Sequence, residues 1–231
     1  MGASAPPSTF LVPGRIADEI AVHLEWQIVF GELAAGERLR EEVVTAQTGV
    51  SRSPIRAAFD QLEHDGLLTR LPRRGVIVPQ LSLDDLRELY GVRISLEGQA
   101  ANEAARCARP AAIAAMTDAL NAMRRAHDDA DLKAFFRANV QLSAASYRAS
   151  GNATLQRVMG IIEKQARRYR FMAFERRPTL MAASVAGNER FIEIVEAGDG
   201  DAAETLMRQL ISRSRDELAA TLARVDGFPD A

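Results

Sequence analysis

The stretch from residue 40 to residue 66 leaves the chain few ways to fold. Arg40 to Thr48 has the spacing of a short helix, and Gly49 ends it. Only two residues later, Ser51 is a good N-cap for a second helix. Pro54 falls in that helix's first turn, where its missing N–H costs nothing. The second helix puts Ile55, Phe59 and Leu62 on one face and stops at Gly66. Upstream, Ile16, Ile20, Leu24, Ile28 and Val29 recur at helical spacing up to Gly31. Downstream, the β-prone runs Leu67 to Leu71 and Val76 to Val78 flank Pro72-Arg73-Arg74-Gly75, the composition of a hairpin. Helix, helix, tight turn, helix and hairpin make the order of a winged helix-turn-helix.

The net charge of −2 does not by itself suggest a polyanionic partner, but its distribution does. Ser51 to Arg56 holds two arginines and no acid, and Arg70 to Gly75 holds three and no acid. In this motif the second helix enters the major groove by its N-terminal end, which here carries Ser51, Arg52, Ser53 and Arg56. Arg52 and Arg56 are one turn apart and share a face. A guanidinium can pair with both acceptors on the guanine edge, and a hydroxyl can bond phosphate or base. Arg73 and Arg74 at the hairpin tip are placed for phosphates or the minor groove, Gly75 lets backbone approach closely, and Arg40 is a further phosphate candidate. The competing reading makes these arginines surface ion pairs, for example Arg56 with Asp60, although Arg52 has no acid three or four residues away.

Three segments follow: a small, Pro-rich tail over residues 1–11, a winged helix-turn-helix over 12–80, and a helical segment over 82–225. The fold class is therefore mostly α. The last segment opens on Ser82-Leu83-Asp84-Asp85, a capping-box-like start. Its periodicity predicts six helices, over 83–107, 110–129, 132–149, 153–176, 184–197 and 201–224, separated by Pro110, Gly151-Asn152, Pro178 and Gly198-Asp199-Gly200. Residues 225–231 read as a frayed end. No apolar run reaches the roughly 18–20 residues of a membrane span, the start lacks the pattern of a secretory signal, and Cys107 is alone. A cytoplasmic location is the expectation. No phosphate loop, Ser-His-Asp set or inward carboxylate pair is evident, so an enzyme is not expected.

The residues Arg40-Glu41-Glu42, Thr48 to Ala58, Leu62-Glu63 and Gly66-Leu67-Leu68 resemble the winged-helix domain of the GntR family of bacterial regulators. Leu83 to Arg93 and Leu96-Glu97 resemble the opening of the all-helical effector domain of its FadR branch, the FCD type. The resemblance runs from about residue 12 to about 225. It implies a dimeric transcription regulator on a (pseudo)palindromic operator, with Arg40, Arg52, Arg56 and Gly75 at the family's DNA-contacting positions. It also implies a small-molecule effector in the helical domain, and a hinge near Val78 to Ser82.

Many FCD domains hold a divalent metal with one Asp and three His. Laid on that pattern, the four positions fall on Asn139, Ser143, Asn188 and Leu210, so neither metal nor other cofactor is expected. Periodicity independently turns Asn139 and Ser143 towards the face of Phe135, Phe136 and Leu142, and Asn188 onto the stripe of Phe191, Ile192 and Val195. Leu210 fits either of two stripes. Arg93 falls on the inward face of Leu86, Leu89, Tyr90 and Leu96, and a buried arginine must be paired. Two readings of it stay open: an internal pair with Glu97, or a grip on an effector carboxylate with Asn139, Ser143 and Asn188 bonding the ligand's other polar groups. The helical domain could also be a dimerisation scaffold with a filled interior and no effector.

Overall fold

The computed structural model describes residues 13–72, 75–107 and 109–224. The expectations for the two chain ends, and those for Arg73 and Arg74, lie outside the described residues. Two compact units divide the chain, Met1–Pro79 and Gln80–Ala231.

The first unit runs α1 (Pro13–Val29), β1 (Arg38–Leu39), α2 (Glu41–Thr48), α3 (Arg52–His64), β2 (Thr69–Leu71) and β3 (Gly75–Ile77). Gly49, with φ of 69°, closes α2 and turns the chain into α3. Ser51 stands at the N-cap of α3 with extended backbone, but its hydroxyl makes no capping bond. The sheet has three strands in the order β1-β3-β2, both pairings antiparallel. Strand β1 is not evident from the sequence pattern, because two residues carry no readable alternation. It is held by Arg38 opposite Ile77 and Leu39 opposite Val76. Leu67 and Leu68, expected in the strand, precede it: their amides close the end of α3 on the Leu62 carbonyl and their side chains are buried. The core joins Ile20, Leu24 and Ile28 of α1 to Ile55, Phe59 and Leu62 of α3, with Val76 and Val78 beneath.

The second unit is a bundle of α4 (Leu83–Cys107), α5 (Pro110–Asp128), α6 (Leu132–Ala149), α7 (Ala153–Arg176), α8 (Thr179–Glu196) and α9 (Gly200–Leu222). The six expected helices are present with one correction: α8 begins at Thr179 rather than 184. Pro178 ends α7 and also supplies the N-cap of α8, since a helix tolerates proline at its start but not inside. Asp131, Asn152 and Asp199 cap α6, α7 and α9 with side-chain oxygens that accept from the third residue on. Ser82 likewise accepts from Asp85 N. Helix α4 packs along α9 and α6, and its start is tied to α7 by Tyr169, whose hydroxyl donates to the Ser82 carbonyl at 3.1 Å. Phe135 and Phe136 of α6 meet Phe171 and Phe174 of α7 edge to face.

Because Phe59 is 1 % exposed and joins α3 to α1, Phe59→Ala should destabilise the first unit by roughly 3–5 kcal/mol. A denaturant titration of the full chain would show the first unit melting earlier while the helical bundle keeps its midpoint.

Candidate functional site

Two places in the chain gather candidate functional residues. The first is the outer face of α3. Pro54, Ile55, Ala58, Phe59 and Leu62 are buried, while Ser51, Arg52, Ser53, Arg56 and Ala57 are exposed, so helical periodicity sorts the core from a polar face. Arg56 is held in a fork: Nε and Nη2 donate to the two carboxylate oxygens of Glu41 at 3.1 and 3.0 Å. The hydrogen bond from Arg56 keeps the Glu41 carboxyl below the usual carboxylate range. Arg52 lies 3.9 Å from Glu42. The ion pairs thus run across to α2. Asp60, the acid considered from spacing, is taken by Arg70, which also bonds Glu63.

Arg40 is exposed at the N-cap of α2. Gly75 opens β3 with φ of 79°, a left-handed conformation that side chains rarely adopt. The space its Cβ would occupy lies 3.3 Å from Nε of Arg38. Arg38 is itself exposed, and sequence reasoning missed it, because only the β1–β3 pairing brings residue 38 beside the wing.

The second place is a cavity of about 220 Å³ inside the bundle. It brings together Arg93 of α4, Asn139 and Ser143 of α6, and Asn188 of α8, and Leu210 of α9 lines it too, packed against Gly187. It also contains residues not singled out from the sequence: Tyr147 of α6, Arg170 of α7 and Ser184 of α8.

Arg93, 2 % exposed, donates from Nε to one oxygen of Glu97 at 2.8 Å, and its Nη2 lies 2.6 Å from the same oxygen. Burial works against its charge, but Glu97, Tyr90, Tyr147 and Glu163 together more than offset that, so its pKa is raised. The internal pair is therefore present, yet Nη1 of Arg93 is buried with no partner. Arg170, also buried, donates from Nη1 to Glu163 at 2.8 Å and from Nη2 to the amide oxygen of Asn139. The other oxygen of Glu163 accepts from Arg167. No pair of inward carboxylates was expected, yet Glu97 and Glu163 are both buried, each ion-paired to an arginine.

Asn139 bonds to two neighbours across the cavity wall. Its oxygen accepts from Arg170 and its nitrogen donates to Ser184 Oγ at 3.3 Å, so its amide is engaged within the protein. Asn188 donates to the Ser184 carbonyl at 2.8 Å, which leaves its amide oxygen as an acceptor, and Ser143 donates to the Asn139 carbonyl at 3.2 Å.

The four positions that would hold a metal in many FCD domains do not fit one. Leu210 has no lone pair, and the one amide oxygen nearest the expected carboxylate is occupied by a guanidinium, which would repel a cation. Among the described residues no group of three or more His, Cys, Asp and Glu side chains could hold a metal ion.

Glu163→Gln should cost about 3–5 kcal/mol, since it strips the buried Arg170 of its charged partner. Urea unfolding followed by circular dichroism is the measurement, and a loss under 1 kcal/mol, the range of a surface pair, would contradict the pairing.

Comparison with known proteins agrees with this architecture. The profile described as "Bacterial regulatory proteins, gntR family" matches residues 16–78. The profile of the FCD domain matches residues 88–213. An uncharacterized HTH-type transcriptional regulator of Agrobacterium vitis is 38 % identical over 100 residues, which is 42 % of this chain and 58 % of that protein. A probable D-xylose utilization operon transcriptional repressor of Paenarthrobacter nicotinovorans is 30 % identical over 189 residues, 82 % of each chain. The solved structure of McbR/YncC from E. coli shares the fold, with a TM-score of 0.79 at 19 % identity over 89 % of this chain and 97 % of that one. Among the described residues no helix is long and apolar enough to cross a membrane. With a GntR-type winged helix followed by an FCD domain, the chain belongs to the GntR family of bacterial transcription regulators.

Proposed function

We propose that the chain is a homodimeric, ligand-responsive repressor acting in the cytoplasm on a (pseudo)palindromic operator, and that it has no enzymatic activity. Two-fold symmetry would set two α3 helices in successive major grooves, about one turn of DNA apart. Arg52 and Arg56 read base edges, with Ser51 and Ser53 on phosphate or base. The uncapped Ser51 hydroxyl supports this, because it is free to bond outward. Arg40, Arg73, Arg74 and Gly75 carry phosphate or minor-groove contacts, and Arg38 joins them. The exposed fork of Arg56 on Glu41 holds that guanidinium extended without burying it.

In the bundle, a small effector binds without metal, contacted by Arg93, Ser143 and Asn188, while Asn139 acts through Arg170. The single observation that carries this is the cavity of about 220 Å³ lined by Arg93, whose Nη1 is buried without a hydrogen-bond partner. It favours the effector reading over a dimerisation scaffold, whose interior would be filled. The volume lies below the roughly 300–1,000 Å³ of drug-sized sites and suits a small polar metabolite. The relative named for a D-xylose utilization operon fits the same size class, and Ser143, Ser184 and Asn188 suit a hydroxylated ligand. Ligand binding regulates by its differential affinity for the DNA-competent and released states.

Selection of bound DNA from a random pool supplies the operator for a direct test. Arg52→Ala should then cost about 1–3 kcal/mol of preference for operator over random DNA. Arg38→Ala should weaken both alike and reduce the salt dependence by about one counterion. Equal weakening of both DNAs by Arg52→Ala would remove it from base reading.

A further inference from the structure

The fork between Arg56 and Glu41 joins the polar face of α3 to the first turn of α2, and it differs from the other ion pairs of that face. Glu41 is the anchored partner: its side chain is 21 % exposed, against 62 % for Arg56. It stands at the N-terminus of α2, where the helix dipole favours a carboxylate. The hydrogen bond from Arg56 lowers its pKa, so Glu41 is charged at neutral pH. Both of its oxygens accept, one from Nε and one from Nη2, so two bonds fix the plane of the guanidinium. Glu42 does not do the same for Arg52. Those two are largely exposed and 3.9 Å apart, beyond hydrogen-bond distance. Asp60, one turn beyond Arg56, is drawn off by Arg70 at 2.6 Å.

A guanidinium has five N–H donors in one plane, and the fork uses two on its side edge. The three that remain include the parallel pair on Nη1 and Nη2, at the end of the side chain. That pair matches O6 and N7 of guanine, which lie side by side in the major groove. A fixed plane matters for a base edge, whose acceptors lie in the base plane, more than for a phosphate, whose oxygens point in several directions. Ser53 and Ala57, the small exposed residues beside Arg56, line the same shallow hollow of α3.

We propose that Glu41 is a specificity-determining positioning residue: it keeps its fork on Arg56 in the operator complex, and so presents the Nη1–Nη2 edge to O6 and N7 of one guanine. The inference rests on the reading that α3 enters the major groove, and it deepens that reading by assigning a base and the residue that aligns its reader. Glu41 itself does not touch DNA. Where random DNA sets no guanine at that edge, Arg56 exchanges the carboxylate for a phosphate, and the Glu41 charge is left unanswered beside the DNA backbone. One residue thus favours the operator and opposes binding elsewhere.

The test uses the full-length protein and the operator obtained by selection, with each base pair of one half-site replaced in turn and binding read by fluorescence anisotropy. Arg56→Ala should lose roughly five- to a hundredfold of preference at one base pair, a G·C. Glu41→Gln keeps an oxygen for Nε but removes the charge and the second acceptor. It should lose roughly two- to fivefold at that same pair and nowhere else, while binding random DNA more tightly than the unaltered protein, most clearly at low salt. Its melting temperature should be unchanged, because an exposed pair contributes little to stability. In an Arg56→Lys background, where no fork can form, Glu41→Gln should cost nothing further at that base pair. Weakening of operator and random DNA by one common factor in both backgrounds would make Glu41 merely structural and overturn the proposal. Preference lost on Arg56→Ala at an A·T pair, or at a G·C pair that Glu41→Gln leaves untouched, would also overturn it, with the major-groove reading left standing. No loss at any pair on Arg56→Ala would remove Arg56 from base reading, and the inference with it.

Discussion

The interior of the helical domain is organised around charges that cannot be left alone. Arg93, Arg170, Glu97 and Glu163 are all buried, and each would carry a desolvation penalty of several kcal/mol without a partner. The solution is a chain of contacts across three helices. Arg93 and Glu97 pair within α4, Glu163 and Arg170 pair within α7, and Arg170 crosses to Asn139 of α6. Phe136 of α6 sits below the Arg170 guanidinium, with 5.6 Å between its ring centroid and Cζ. These contacts fix the relation of α6 to α7, which fixes the cavity wall on which Ser143 and Tyr147 stand.

The same constraint accounts for the polar side chains that line the cavity. Imidazole and carboxylate ligands need a cation to answer them. Here the Arg170 guanidinium is answered by the Glu163 carboxylate and the Asn139 amide. A guanidinium differs from a metal ion in what it can do: it has no open coordination position but offers directed donors.

The DNA-binding unit solves a different problem. Its arginines must be displayed, and helical periodicity does this by burying Ile55, Phe59 and Leu62 and leaving Arg52 and Arg56 outside. Their ion pairs with Glu41 and Glu42 are exposed, and exposed pairs are weak. A guanidinium held that way can exchange a carboxylate for a phosphate or a guanine edge at little cost, whereas the buried pairs of the bundle cannot exchange freely.

Local rules made much of this legible before any coordinates. Gly49, Ser51 and Pro54 mark the tight turn, caps and prolines mark the bundle helices, and the 3.6-residue period separates the exposed face of α3 from its core. The inward turn of Arg93, Asn139, Ser143 and Asn188 was legible for the same reason. Tyr147 was within reach, since it continues the Asn139–Ser143 stripe by one turn, and Glu163, Ala166, Arg170 and Ala173 follow an inward spacing on α7. What the residue order could not specify was which charges meet. Glu41 and Arg56 are fifteen residues apart and Asn139 and Arg170 thirty-one. Strand β1 exists only through its pairing with β3, and Arg38 reaches the wing only by that pairing. The sequence by itself determined the elements and the faces they bury, because those follow from short-range periodicity and capping. Tertiary structure alone decided the partners of each buried charge, and hence which donors remain open to a ligand, because pairing across helices depends on packing that no single segment encodes.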